Sequence, residues 1–135
     1  PVDSLTQVWE LLCAADREFA GLAQYDAWLA EVSHKIRHGL AQCYIIHAGG
    51  RLAATASLLF KNADCAVIAA VATHPDFRGC GFGRRVAGQA TASAFAQGLR
   101  PAVLIRDAGL QKFYARCGYR PAGEWGEVQI LPPQF

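Results

Sequence analysis

Methionine is missing from all 135 residues, position 1 included, and the chain opens Pro1-Val2-Asp3. The expectation is a processed chain or one cut from something longer. Charge is sparse: charged residues are 18% of the total, and 13 basic against 11 acidic side chains leave a formal net charge of +2. Such a balance gives no field to draw in nucleic acid. No apolar run approaches the roughly 18 residues that a membrane-spanning helix needs. The five cysteines, Cys13, Cys43, Cys65, Cys80 and Cys117, are odd in number and show no C-x-x-C spacing. They suggest neither a disulfide framework nor a zinc site, so no metal is expected, and free thiols in this number favour a reducing, cytoplasmic setting. Nucleotide motifs are missing too: there is no G-x-x-x-x-G-K-[ST], and no G-x-G-x-x-G with an acidic residue about 20 positions beyond it.

Apolar residues are what the chain has in quantity, 53% of the total. A domain of this length buries about two thirds of its unfolded surface, so residues 1–135 read as one folded domain. Asp3 can cap a helix from about Ser4 to Ala15, where Leu5, Val8, Trp9 and Leu12 recur at helical spacing. Trp28, Leu29, Val32 and Ile36 mark a second helix, closed by Gly39. The basic residues His34, Lys35, Arg37 and His38 in its last turns read as compensation of the helix dipole and solvated surface. Strands follow: Cys43–His47, a Gly49-Gly50 hairpin turn, Leu52–Phe60, a turn over 61–64, and Cys65–Thr73. The last is apolar almost throughout and is expected to lie centrally with both faces covered. An Ala-rich helix from about Gly83 to Gln97 stops at Gly98, and Ala102–Ile105 follows as a short buried strand. Strand, helix, strand at this spacing predicts a right-handed parallel crossover. A short helix over Ala108–Arg116 ends at Gly118, before a strand near Tyr119.

The informative segment joins the central strand to the long helix: His74-Pro75-Asp76-Phe77-Arg78-Gly79-Cys80-Gly81-Phe82-Gly83-Arg84-Arg85. Its glycines let backbone N–H groups converge, and a helix N-terminus adds partial positive charge. Arg78, Arg84 and Arg85 add to that cradle for an anion. Arginines in the first turn oppose the dipole, and a bound anion would offset that cost.

Arg78-x-x-Gly81-x-Gly83 resembles the R/Q-x-x-G-x-G/A signature of the GCN5-related N-acetyltransferase (GNAT) family. Downstream, Phe113-Tyr114-Ala115-Arg116-Cys117-Gly118-Tyr119 is similar to that family's F-Y-x-x-x-G-F segment. The order of elements fits over nearly the whole chain. The resemblance implies an α/β (α+β) fold, a mixed central sheet of antiparallel meander plus parallel crossover with helices on both faces. It further implies a first edge strand before the first helix, for which Pro1-Val2-Asp3 leaves little room. A missing segment, another domain or a second copy of the chain as a homodimer would cover that edge.

In that family acetyl-CoA binds where the strand before the glycine loop splays from the next parallel strand. The resemblance therefore implies acetyl-CoA as cosubstrate, held by Val71, Ala72, Thr73, Arg78, Gly79, Cys80, Gly81, Phe82, Gly83, Arg84, Asp107 and Phe113. Backbone groups of Val71 and Thr73 would meet the acetyl carbonyl and pantetheine arm, and loop amides the pyrophosphate. Tyr114 would be the general acid for the departing thiolate, a phenol with pKa near 10 being slightly above a thiol. Two positions depart from the pattern: Asp107 stands where Asn is common, and can equally cap the short helix, and Cys80 stands where a basic residue is common. Candidates for the general base are His74, Asp64, His47 and Glu124. The expected activity is acetyl transfer to a primary amine of a small molecule or peptide, by direct attack on the thioester. The alternative is a CoA-binding sensor or regulatory module without turnover. No carboxylate cluster singles out a polyamine as acceptor, and no aromatic pocket is legible.

Overall fold

The computed structural model describes residues 2–22, 24–105 and 107–124, with the side chains of Val2, Asp3 and Leu22 left aside. The chain starts with helices α1 (Val2–Ala15), α2 (Arg17–Leu22) and α3 (Tyr25–Arg37). Strands β1 (Gln42–Ala48), β2 (Arg51–Lys61) and β3 (Cys65–Thr73) follow. Then come α4 (Phe82–Ala96), β4 (Arg100–Val103) and α5 (Gln111–Arg116). Single 3-10 turns lie over Pro75–Phe77 and Ala108–Leu110. The sheet has the order β1-β2-β3-β4. β1, β2 and β3 pair antiparallel, and β4 pairs parallel with β3 after the α4 crossover. The mixed sheet with helices on both faces is as expected.

β2, rather than β3, is the strand covered on both faces. Residues 52–58 are all buried, with Ala53, Ala54, Thr55, Ala56 and Leu58 at 0% exposure. Its small side chains let helices approach closely from both sides. On one face Ala54, Ala56, Leu58, Ala66 and Ile68 pack with Val86, Ala90 and Ala94 of α4. On the other, Leu52 packs with Val8, Leu11 and Leu12 of α1, flanked by Phe19 and Trp28. The polar atoms of β2 are satisfied in place: Thr55 Oγ1 donates to the Tyr44 carbonyl at 3.0 Å, and Ser57 pairs with Cys43 at 3.1 Å. β3 alternates buried and half-buried residues only to Ile68, and Ala70 is exposed.

Other differences have local causes. α1 runs from Val2, so Asp3 lies within its first turn rather than capping it. The chain breaks at Asp16 and restarts as α2, because Asp16 Oδ1 accepts the N–H groups of Glu18 (3.0 Å) and Phe19 (3.3 Å). β4 begins earlier than expected, at Arg100, whose N–H donates to the Asp64 carbonyl at 2.8 Å and so sets the register. Among the described residues β4 lies at the edge of the sheet, a position that tolerates Pro101. Leu104 lies beyond the strand and is 53% exposed, so Ala102–Ile105 is not a buried strand. Tyr119 is not in a strand, and residues 120–124 belong to no helix or strand. Any strand after 124 lies outside the described residues.

Candidate functional site

The parallel pair opens partway along its length. β3 and β4 are in register from Cys65↔Arg100 to Ile68↔Val103 and then part. The residues Ala69–Thr73 continue alone on that side. Within this stretch β3 bulges: Ser57 opposes Ala69 and Thr55 opposes Ala72, so Ala70 and Val71 together face Ala56. Ala70 has φ +53°, the left-handed region that an L side chain seldom adopts. A bulge of this kind turns backbone groups out of the ladder, here at the mouth of the opening.

The glycine loop begins just past that opening. The His74 N–H still donates to the Ala53 carbonyl at 2.8 Å, anchoring the exit from β3. His74 Nδ1 accepts the Asp76 N–H at 3.1 Å and starts the 3-10 turn. Arg51 donates to Asp76 at 2.8 Å, which holds that exposed carboxyl below its ordinary range. Gly79 (φ +79°) and Gly81 (φ +82°) are left-handed, and Gly81 caps α4 with no side-chain hydrogen bond. Gly83 matters for space rather than torsion: a Cβ there would sit 2.9 Å from Thr73 Oγ1 and 3.7 Å from the Phe113 ring. Three elements thus converge on Gly83. The side chain of Arg78 leaves the loop and donates to the Ala15 carbonyl at the end of α1, at 3.2 Å. Cys80 is exposed, its thiol 3.8 Å from the Arg78 carbonyl.

Contact between Phe113 and the start of α4 brings α5 to the same corner. Tyr114 stacks edge-on with Phe113 (4.9 Å) and Tyr119 (6.0 Å). Tyr119 in turn hydrogen-bonds Thr91 of α4 at 2.7 Å. Burial, then the neighbouring Cys117 and Tyr119, pushes the Tyr114 phenol up to about 12, rather than slightly above a thiol. Asp107 caps the 3-10 turn, its Oδ1 accepting the Gly109 N–H at 2.8 Å, so the capping role is the one its carboxylate plays.

A model of the acetyltransferase (GNAT) family matches residues 5–119. The chain belongs to the GNAT acetyltransferase family. Solved structures share the fold. A candidate acetyltransferase from Agrobacterium tumefaciens str. C58 superposes with a TM-score of 0.79 at 21% identity, covering 96% of each chain. Glucosamine-6-phosphate N-acetyltransferase from Arabidopsis thaliana gives 0.75 at 18% identity, covering 96% of this chain and 94% of that one. A candidate acetyltransferase from Clostridium acetobutylicum, solved with acetyl-CoA, gives 0.71 at 16%, covering 92% and 90%. No curated protein matches the chain.

On the opposite face of this GNAT sheet lies a cavity of about 310 Å³, between the N-terminal helices and the bulge. Leu12, Phe19, Trp28, Val32 and Phe60 wall it, and Ala70–Ala72 border it. Asp16, Glu31, Lys35 and Leu59 complete the lining. Lys35 is therefore not simply solvated surface: its side chain is 22% exposed, its ammonium lies 3.0 Å from Glu31 and 4.7 Å from the Phe60 ring centre. The four candidate bases are scattered, and none lines this cavity. His74 is engaged in the turn before the loop, and Asp64 sits at the far end of β3. His47 is exposed on β1, and Glu124 is exposed at the end of the described residues. The aromatic pocket is not legible in the sequence because its aromatic walls, Phe19, Trp28 and Phe60, come from α2, α3 and β2, with no shared spacing. The one local signal was Asp16, a cap-forming residue directly after an amphipathic helix.

Proposed function

We propose that the chain transfers an acetyl group from acetyl-CoA to a primary amine. The observation that carries this reading is the parting of β3 from β4 after Ile68 and Val103, directly before a glycine loop that enters α4 with no side-chain cap. The residues fit the cosubstrate. First-turn N–H groups of α4 are available to phosphate, and the space at Gly83 keeps β3, α4 and α5 in contact without a side chain between them. Acetyl-CoA, when bound, supplies the acyl group as a thioester.

In this reading loop amides from Gly79 to Arg84 hold the pyrophosphate, and the unpaired backbone of Val71 and Thr73 orients the acyl arm. Because these contacts are made by backbone, the exposed Cys80 and Arg84 side chains can vary. Phe113 supports the corner, and Tyr114 donates its hydroxyl proton to the departing sulfur. With its phenol at about 12, Tyr114 keeps its proton throughout the physiological range. As a weaker acid than the thiol, it hands the proton over only as the carbon–sulfur bond breaks, and is reloaded by the proton that the attacking amine gives up. Calorimetry with acetyl-CoA tests the binding half: micromolar affinity is expected, and no binding at millimolar concentration rejects the reading. Thiol release over an amine panel tests turnover, since binding without release would mark a sensor instead. Tyr114→Phe should lower kcat about 100-fold with KM for acetyl-CoA little changed. Unaltered kcat across pH would remove its role as acid.

A further inference from the structure

We propose that the cavity between the N-terminal helices and the β3 bulge takes an arylalkylamine, a single primary amine on a compact aromatic body, as the acetyl acceptor. Its use as acceptor rests on the acetyl-transfer reading; its recognition of such a ligand rests on the cavity's own chemistry.

Size comes first. About 310 Å³ lies at the small end of the roughly 300–1,000 Å³ range of ligand pockets, suited to one ring and a short chain. The walls are aromatic and braced from behind: Trp9 holds Phe19 at 5.2 Å and Trp28 at 5.4 Å. Across from them Phe60 is 57% exposed, a large apolar surface that a stacked ring would cover. Charge narrows the choice. Lys35 is the cation of the described lining, and Glu31 and the Phe60 ring already engage it. A phosphate or carboxylate on the acceptor meets no free partner there. Asp16 spends Oδ1 on the α2 cap and leaves its second oxygen for one ammonium, while Glu31, the other carboxylate of the lining, already faces Lys35 at 3.0 Å. Position completes the argument. The cavity borders Ala70–Ala72, the same backbone that runs unpaired past β4, so an amine seated there lies against the strand proposed to hold the acyl arm.

The test titrates 2-phenylethylamine against the protein, with and without CoA, following tryptophan fluorescence, and measures thiol release in parallel. A saturable quench, lost in Trp28→Phe, is expected. So is a kcat/KM at least about tenfold above those for spermidine and glucosamine 6-phosphate. Phe60→Ala, an exposed position where truncation leaves the fold intact, should raise KM for the amine about tenfold and leave KM for acetyl-CoA unchanged. Thiol release with spermidine or glucosamine 6-phosphate but not with 2-phenylethylamine overturns the acceptor class and leaves acetyl transfer standing. A quench without any acetyl-CoA binding overturns acetyl transfer and leaves the ligand class standing. No quench under either condition overturns the proposal for the cavity.

Discussion

On the face of the sheet that α4 covers, alanines set the spacing around the larger Leu58, Ile68 and Val86. Ala54, Ala56 and Ala66 meet Ala90 and Ala94, and at Gly83 there is no room for a methyl group. On the other face α1, α2 and α3 bring Trp9, Phe19, Tyr25 and Trp28 into one ring cluster. The first face carries its candidate chemistry on backbone N–H groups, which small residues leave accessible. The second carries it on side chains, which must be large to bound a cavity. One strand, β3, serves both: the half paired with β4 fills the α4 core with Ala66 and Ile68, and the half beyond β4 borders the cavity.

If the two faces differ in this way, truncation should injure one and enlargement the other. Trp28→Ala removes a ring from the cluster and should cost about 3 kcal/mol of stability, read by denaturant unfolding. Ala90→Leu, at 0% exposure against the sheet, should cost about 2 kcal/mol by overpacking. If it is neutral, the α4 face is less tightly packed than its geometry implies. Gly83→Ala sets a methyl 2.9 Å from Thr73 Oγ1 and should destabilise by about 1 kcal/mol. Adding Thr73→Ala removes that clash, so a double-mutant cycle should show coupling of similar size. Loss of the α2 cap in Asp16→Ala should cost about 1 kcal/mol, and Asp16→Asn much less.

A further effect is confined to alkaline pH. Tyr114 at about 12 and the raised Tyr119 bind their protons more tightly folded than unfolded. Their contribution is complete below about pH 10 and fades as pH rises through about 12. Stability should therefore fall on the alkaline side, and Tyr114→Phe should flatten that fall. Ultraviolet difference titration would follow the phenolate directly.

Wherever a role needs a backbone conformation, residue type announces it. Gly79 and Gly81 mark left-handed turns, and Gly98 and Gly118 follow helix ends, so the loop, α4 and α5 were legible within a residue or a few. The meander was legible from apolar runs broken by turn residues. Register was not. That β2 rather than β3 is the strand buried on both faces depends on which helices cover it, and Ala-rich segments look alike in one dimension. The bulge at Ala70 was equally silent, because alanine does not advertise a positive φ.

By itself, then, the sequence determined the glycine loop, the family and the order of elements from β1 to α5, but not the separate helix α2. These rest on short-range torsional preferences and on two motifs carried within a few residues each. Tertiary structure alone decided where β3 parts from β4, that Arg78 reaches back to Ala15, and that Phe19, Trp28, Lys35 and Phe60 share one cavity. Those contacts join residues far apart in the chain, and only packing in three dimensions, not local preference, selects them.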